Sequence, residues 1–255
     1  MKYMLFGDIH GKDLKKLEKT IVAESPDSLI CLGDFDSVNS IRGFMDIEKS
    51  YLEQGKEVLK VPGNHDFALA YNHGLKSATL NVQGKGIYEH SIALKKDPVA
   101  KEYIEELVGS DFFVRGNLDE EKFGDKFPFV VVHGGYTGNL KGCPSNAEGI
   151  KLLWYRMKDE EDFYLNANKM RNKGEKIMIR GHDHFPAFSV NDAETTEREL
   201  HHPVTGSKFK IRPEKEQIIN PGAYFYRDFA TIDTSNNLPE VEFRKDLEGS
   251  NKLPF

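Results

Sequence analysis

Three short apolar runs, KYMLFG (2–7), SLICLG (28–33) and EVLKVPG (57–63), each close on a glycine and are separated by segments of helical period. In KDLKKLEKTIVAE the residues Leu14, Leu17, Ile21 and Val22 recur near helical spacing with the lysines facing outward, and Phe44, Ile47, Tyr51 and Leu52 repeat the pattern in IRGFMDIEKSYLEQG. The predicted order is β-α-β-α-β, which requires neighbouring parallel strands joined by right-handed crossovers. The first half of the chain is therefore of α/β class.

The later half changes character. A helix is predicted around Val99–Leu107, then a strand in FPFVVVHGG (127–135), whose unbroken apolar run suits burial on both faces. Helices are expected at 147–157 and 160–172, a strand in EKIMIRGHDH, and short strands in FSV, KFKI, QIIN, FATID and EVEFR. No repeat or linker interrupts the chain, so residues 1–255 are expected to form one domain. The charged, apolar-poor stretch 191–216 is predicted to be an exposed hairpin or loop insertion.

Composition excludes several classes. Hydrophobic content of 38% and charged content of 30% suit a globular protein, and no apolar run approaches the roughly 18 residues needed to span a membrane. A net charge of −6 argues against general nucleic-acid affinity through a large basic surface. The two cysteines are Cys31, in a buried-type apolar run, and Cys143. They supply at most one bridge, which a domain of this size does not need, and MKYMLFGD reaches an acidic residue too early for a secretory core. A reducing, cytoplasmic setting is the simplest expectation.

In an open parallel sheet, ligands bind outside the carboxyl ends of the strands. Those ends carry Asp8 and His10 in GDIHG, Asp34 in LGDFD, Asn64, His65 and Asp66 in GNHD, His133 in VVHGG, and His182 and His184 in GHDH. Neighbouring strands lie roughly 4.8 Å apart, near the roughly 3.5–4 Å metal separation of two-metal hydrolytic sites. Asp34, expected near the middle, is the natural bridge because each of its oxygens can take one metal. Taken singly, each motif could be a turn or a helix cap, with Asp8 capping the next helix. All five after apolar strands favour a site. His73, His90, His201 and His202 follow no core strand and are expected to be surface or loop residues.

The order DxH, GD, GNHD, HGG, GHxH resembles the calcineurin-like metallophosphoesterases, and INPGAYFYRDFATID is similar to that family's closing turn and strands. The resemblance implies a four-layer αββα sandwich of two mixed sheets around a two-metal centre that hydrolyses phosphate esters with metal-activated water. By position it implies Asp8, His10 and His184 on the first metal, Asn64, His133 and His182 on the second, and Asp34 between them. His65 would serve the leaving group, oriented by Asp36 or Asp66. Mixed imidazole and carboxylate donors favour Mn, Fe or Zn.

HGG and KLLWYR look like segments of the serine/threonine phosphatase and bacterial dinucleoside-tetraphosphatase branch, where arginines clamp phosphate. Arg156 is the first clamp candidate, with Arg42 a weak substitute because GDFDSVNSIRG lacks the arginine of GDxxDRG. Asp183, between the two ligand histidines, is expected to point away or to hold an imidazole. The expected activity is a metal-dependent phosphomonoesterase acting on a phosphorylated substrate. The alternatives are a dinucleoside polyphosphate hydrolase, a phosphodiesterase or nuclease, and a non-catalytic scaffold.

Overall fold

The structure is a computed structural model that describes residues 1–12, 14–71, 84–140, 143, 146–192, 195 and 197–246. His73 lies outside them. The first half runs β1 (Lys2–Phe6), α1 (Lys15–Glu24), β2 (Ser28–Cys31), α2 (Val38–Glu53), β3 (Glu57–Lys60), α3 (Asn64–Tyr71), α4 (Gly84–Lys95) and α5 (Pro98–Gly109). There follow β4 (Phe113–Asn117), α6 (Glu120–Phe123), β5 (Pro128–Val132), β6 (Asn139–Leu140), α7 (Glu148–Trp154), β7 (Tyr155–Arg156), α8 (Glu160–Asn172) and β8 (Ile177–Ile179). The last part is β9 (Ala187–Asn191), β10 (Arg198–His201), β11 (Lys208–Lys210), β12 (Glu216–Asn220), β13 (Asp228–Asp233) and β14 (Glu240–Lys245).

Two mixed sheets result, with strand orders β11-β14-β13-β1-β2-β3 and β10-β9-β12-β8-β5-β4. Each contains three neighbouring parallel strands: β1, β2 and β3 at one end of the first sheet, and β12, β8 and β5 in the middle of the second. Strand alternation builds the layers. Met4, Phe6, Leu29 and Cys31 face Leu17, Phe44, Ile104 and Leu107 of the helices, while Leu5, Ile30 and Leu32 face Phe129, Val131, Ile179 and Ile219 of the second sheet. Val130, Val132, Met178 and Ile218 then meet Phe163 and Met170 of α8. Each such side chain contributes about 1.5–3 kcal/mol by leaving water, and only a four-layer αββα sandwich buries both faces of both sheets.

Helix starts follow local chemistry. The Ser37 hydroxyl accepts from Ser40 N–H, Asp97 caps α5 ahead of Pro98, and the Asp159 carboxylate accepts from Asp162 N–H. Asp8 caps no helix, since α1 opens after Leu14. Segment 191–216 divides between the sheets: β10 pairs with β9, and β11 pairs with β14, so it contributes an edge strand to each. His201 lies on β10, its ring 5.0 Å from that of Phe209. Strand β4 and helix α4 have no counterpart in the sequence reading. Arg115 and Gly116 break the apolar pattern of β4, which is readable only as an edge beside β5.

Candidate metal centre

Parallel strands deliver their carboxyl ends to one side, and the two sheets bring two such sets together. Within each sheet the turns after neighbouring strands are tied by backbone bonds, including Asp8 N–H to Gly33 O at 3.0 Å, His10 N–H to Asp34 O at 2.8 Å and Gly181 N–H to His133 O at 2.9 Å. His182 N–H donates to both oxygens of Asp8, at 3.1 and 3.0 Å, fixing the second sheet to the first.

The turns are strained. Nine non-glycine residues have positive φ among the described residues, and six of them belong to this centre: Asp8 (49°), His10 (47°), Asp34 (63°), Asp36 (62°), His182 (71°) and His184 (66°). They fall in pairs two residues apart, in DxH, DxD and HxH, so each turn swings two side chains toward the same space. Left-handed backbone costs a non-glycine residue of order 1–3 kcal/mol, and its concentration here marks a place where geometry is held against local preference.

The donor atoms converge as two sets. Asp8, His10 and His184 form one, with their ligand atoms within 4.8 Å of one another, and Asp34, His133 and His182 form the other within the same limit. In the first, His10 Nε2 and His184 Nε2 face each other at 2.9 Å, and Asp8 Oδ1 is 3.4 Å from His184 Nε2. In the second, Asp34 Oδ2 is 3.3 Å from His133 Nε2, and Asn64 Oδ1 is 3.1 Å from the same nitrogen. Asp34 Oδ2 also lies 3.9 Å from His10 Nε2, so this carboxylate stands between the sets. His133 Nδ1 donates to Leu32 O at 2.6 Å, so Nε2 is the nitrogen that faces the donor set and would bind a metal in place of its proton.

These atoms fit a pair of cations better than they fit one another. Asp34 Oδ2 and both ring nitrogens of His182 are buried without a hydrogen-bond partner, a costly state that a bound metal relieves. Charge agrees. Burial opposes ionisation of Asp34, yet the His133 and His65 imidazoles beside it hold its carboxyl well below the usual range. Burial likewise disfavours charge on His133, yet Asp34 raises it to about 9. Burial and the neighbouring His133 keep His182 well below the usual imidazole value, hence neutral and able to donate its lone pair.

Around the donors, Asp36 is shared. Its Oδ2 lies 2.7 Å from His10 Nδ1, and its Oδ1 lies 2.7 Å from His65 Nδ1, out of line for a hydrogen bond but close enough for an ion pair. Burial disfavours the His65 imidazolium, but Asp34 and Asp36 raise its pKa to about 10.

Asp66, offered by the sequence as an alternative partner of His65, does different work. Its carboxylate accepts from Gly63 N–H and Asp34 N–H at 2.8 Å and from Phe35 N–H at 2.9 Å. As the third residue of α3 it turns back to cap that helix and buckles it to the turn after β2.

The two arginine candidates separate. Arg156, on β7, donates from Nη1 to His182 O at 3.0 Å and is half-buried beside the second donor set. Arg42 is bound away from the centre in a bidentate pair with Asp97, at 3.0 and 2.6 Å, because α2 presents it to the start of α5. Asp183 pairs with Arg180, and its Oδ2 also accepts from Met157 N–H at 3.2 Å. Arg180 is fully buried and donates to Gly134 O at 2.6 Å and Tyr155 O at 3.3 Å, so it ties the HGG turn to the HDH turn. The sequence reading passed over Arg180, although a cation ending the apolar run IMI was the signal for it.

Residues 1–236 match the model of the calcineurin-like phosphoesterase superfamily domain. A metallophosphoesterase from Sphaerobacter thermophilus has a similar structure, with a TM-score of 0.64 at 19% identity over 96% of this chain and 87% of that one. A hypothetical protein from Pyrococcus horikoshii OT3 gives 0.53 at 12% identity, over 97% of this chain and 89% of its own. A cold-active protein tyrosine phosphatase gives 0.50 at 14%, over 96% and 80%. No curated protein matches the chain in sequence. The family model spans every strand-end motif above, and with it the chain belongs to the calcineurin-like phosphoesterase superfamily, as a metal-dependent phosphoester hydrolase.

Proposed function

We propose that this centre hydrolyses phosphate monoesters. The observation that carries the reading is the arrangement around Asp34: two donor sets meet at this carboxylate, with an Asp36–His65 ion pair beside the first and the Arg156 guanidinium on the His182 carbonyl of the second. Asp8, His10 and His184 would hold one cation and Asn64, His133 and His182 the other, with Asp34 shared. The donor chemistry suits Mn, Fe or Zn. Bound there, the two cations supply Lewis-acid polarisation of phosphate and lower the pKa of water.

The protein's own groups supply the rest. His65, kept protonated by Asp34 and Asp36, donates a proton to the leaving oxygen as its charge develops; Nδ1 faces Asp36, so Nε2 is the nitrogen available. Arg156 spends one N–H on His182 O, and among the described residues its other N–H groups have no protein acceptor. They suit the extra charge of a monoester dianion, which a diester lacks. Asp183 adds little repulsion toward phosphate, because Arg180 neutralises it.

The test is metal analysis with initial rates for Mn-loaded protein on an aryl monoester, an aryl diester and a dinucleoside tetraphosphate. The monoester should be turned over fastest. Faster diester or tetraphosphate hydrolysis overturns the monoesterase reading, and no turnover by fully metal-loaded protein favours a scaffold.

A further inference from the structure

We propose that Phe225 and Tyr226 form a subsite for a planar aromatic leaving group, which makes aryl or nucleoside phosphates, rather than alkyl phosphates, the substrates of this centre. The inference rests on the monoesterase reading above. Its first observation is exposure: Phe225 is 38% and Tyr226 47% accessible, although both stand in a short 3-10 turn (Tyr224–Tyr226) at the edge of a tightly packed centre. Each ring buries the larger part of its surface and leaves the rest beside the centre, where it is available to a ligand.

Their position is fixed by the centre itself. Tyr224 N–H donates to Gly7 O at 2.9 Å and Phe225 N–H to Asp8 O at 3.1 Å, while the Tyr224 side chain is fully buried beneath them. The backbone that carries Asp8 therefore also carries Phe225. The Phe225 ring centroid lies 6.0 Å from that of His10 at 79°, and the His10 ring lies 4.8 Å from that of His65. Phe225 thus stands on the His10–His65 side, where a leaving group meets its proton donor, and not on the His182 side held by Arg156. Tyr226 meets Phe225 edge-on, with centroids 5.1 Å apart at 79°, so the two rings make an L-shaped wall.

One face of Phe225 is covered only by the Lys12 ammonium, whose Nζ lies 4.3 Å from the ring centroid. Lys12 is half-buried, and among the described residues it makes no ion pair, so an incoming ring displaces it without breaking a salt bridge. A flat, polarisable leaving group gains stacking and edge contacts there that an alkyl chain does not.

The experiment separates this subsite from the reaction. Mn-loaded wild type, Phe225→Ala and Phe225→Trp are titrated calorimetrically with phenylphosphonate, a methylenephosphonate analogue of adenosine 5′-monophosphate, and propylphosphonate, none of which is hydrolysed. In parallel, kcat/KM is measured on 4-nitrophenyl phosphate, adenosine 5′-monophosphate and glycerol 2-phosphate. Wild type should prefer the aromatic probes. Phe225→Ala should cut the aromatic-over-alkyl affinity ratio roughly two- to tenfold, chiefly through KM in the kinetic arm, and Phe225→Trp should keep it. A loss confined to the phenyl probe identifies an aryl substrate, and one confined to the adenosine probe a nucleotide. An unchanged ratio in Phe225→Ala, or no aromatic preference in wild type, overturns the proposal. Absence of monoester turnover removes the monoesterase reading alone, since the phosphonate ratio still reads the subsite.

Discussion

Asp36 Oδ1 lies 2.7 Å from His65 Nδ1, while the other oxygen of the same carboxylate lies 2.7 Å from Nδ1 of the metal-ligand candidate His10. One side chain therefore orients the proton donor and one ligand together. His65→Asn should lower kcat by roughly 10²- to 10³-fold with both metals retained, whereas Asp36→Asn should lower kcat and metal affinity together. Steady-state kinetics and elemental analysis of the same preparations decide it; metal loss from His65→Asn would sink the assignment.

Metal removal should be visible as stability. The buried, unpartnered atoms of Asp34 and His182 are relieved by a cation, so chelation should lower the melting temperature and added Mn should restore it. At free metal about a hundredfold above Kd, each site contributes about 2.7 kcal/mol. His182→Ala should remove one metal, and Asp34→Asn should weaken both. Equal stoichiometry in the two variants would contradict the shared role of Asp34.

Gly63 is held to its identity by contact. A Cβ there would stand 1.9 Å from Asp34 Oδ1 and 2.7 Å from Asp34 N, so Gly63→Ala should cost about 2–3 kcal/mol and weaken metal binding. At Gly109, ending α5, a Cβ would meet nothing within 4 Å. Gly109→Ala should be neutral or stabilising by up to about 1 kcal/mol. Chemical denaturation of both variants checks the contrast.

Removing Asp183 should strand a buried guanidinium. Arg180 is fully buried and Asp183 is its ion-pair partner, so Asp183→Ala should cost about 3–5 kcal/mol. Arg180→Met with Asp183→Ala should recover part of that loss, because no charge is then left unpaired. A double variant no more stable than Asp183→Ala would refute the pairing account.

Asp228 gives a pH dependence outside the centre. Burial raises its carboxyl above the ordinary value, and Lys245, 3.4 Å away, only partly offsets this. A carboxyl raised on folding binds more protons in the native state, so stability falls as pH rises from its unfolded pKa through its folded one. Asp228→Asn should therefore gain stability relative to wild type across the acidic range and keep the gain at neutral pH. Denaturation midpoints for both proteins at a series of pH values test the sign.

Much of this was readable in one dimension, for local reasons. Apolar runs of four to six residues closed by glycine, with helical period between them, place β1, β2 and β3 in parallel, and parallel strands must send Asp8, Asp34 and Asn64 to the same end. His133 and the 182–184 turn end β5 and β8 by the same logic. The candidate ligands follow from the order of these motifs and the family resemblance that order carries, and only Asp8/His10 and His182/His184 are pairs two apart on one turn. Strand β4 escaped because an edge strand is defined by its neighbour and its own pattern is broken by Arg115 and Gly116.

The choice between partners separated by long stretches of chain was made only in three dimensions. Asp36 and Asp66 are equivalent on paper, and burial against different turns gave one to His65 and the other to three backbone N–H groups. Arg42 and Arg156 are both near ligand motifs in sequence, yet α2 hands the first to Asp97 and β7 hands the second to the His182 turn. Phe225 reaches the rim because backbone bonds fasten its turn to the carbonyls of Gly7 and Asp8, more than two hundred residues earlier. The sequence by itself determined the α/β class and the ligand chemistry, since these depend on period and local spacing. The tertiary structure alone decided which charges meet, because a side chain's partner is set by the packing of two sheets and not by its neighbours along the chain.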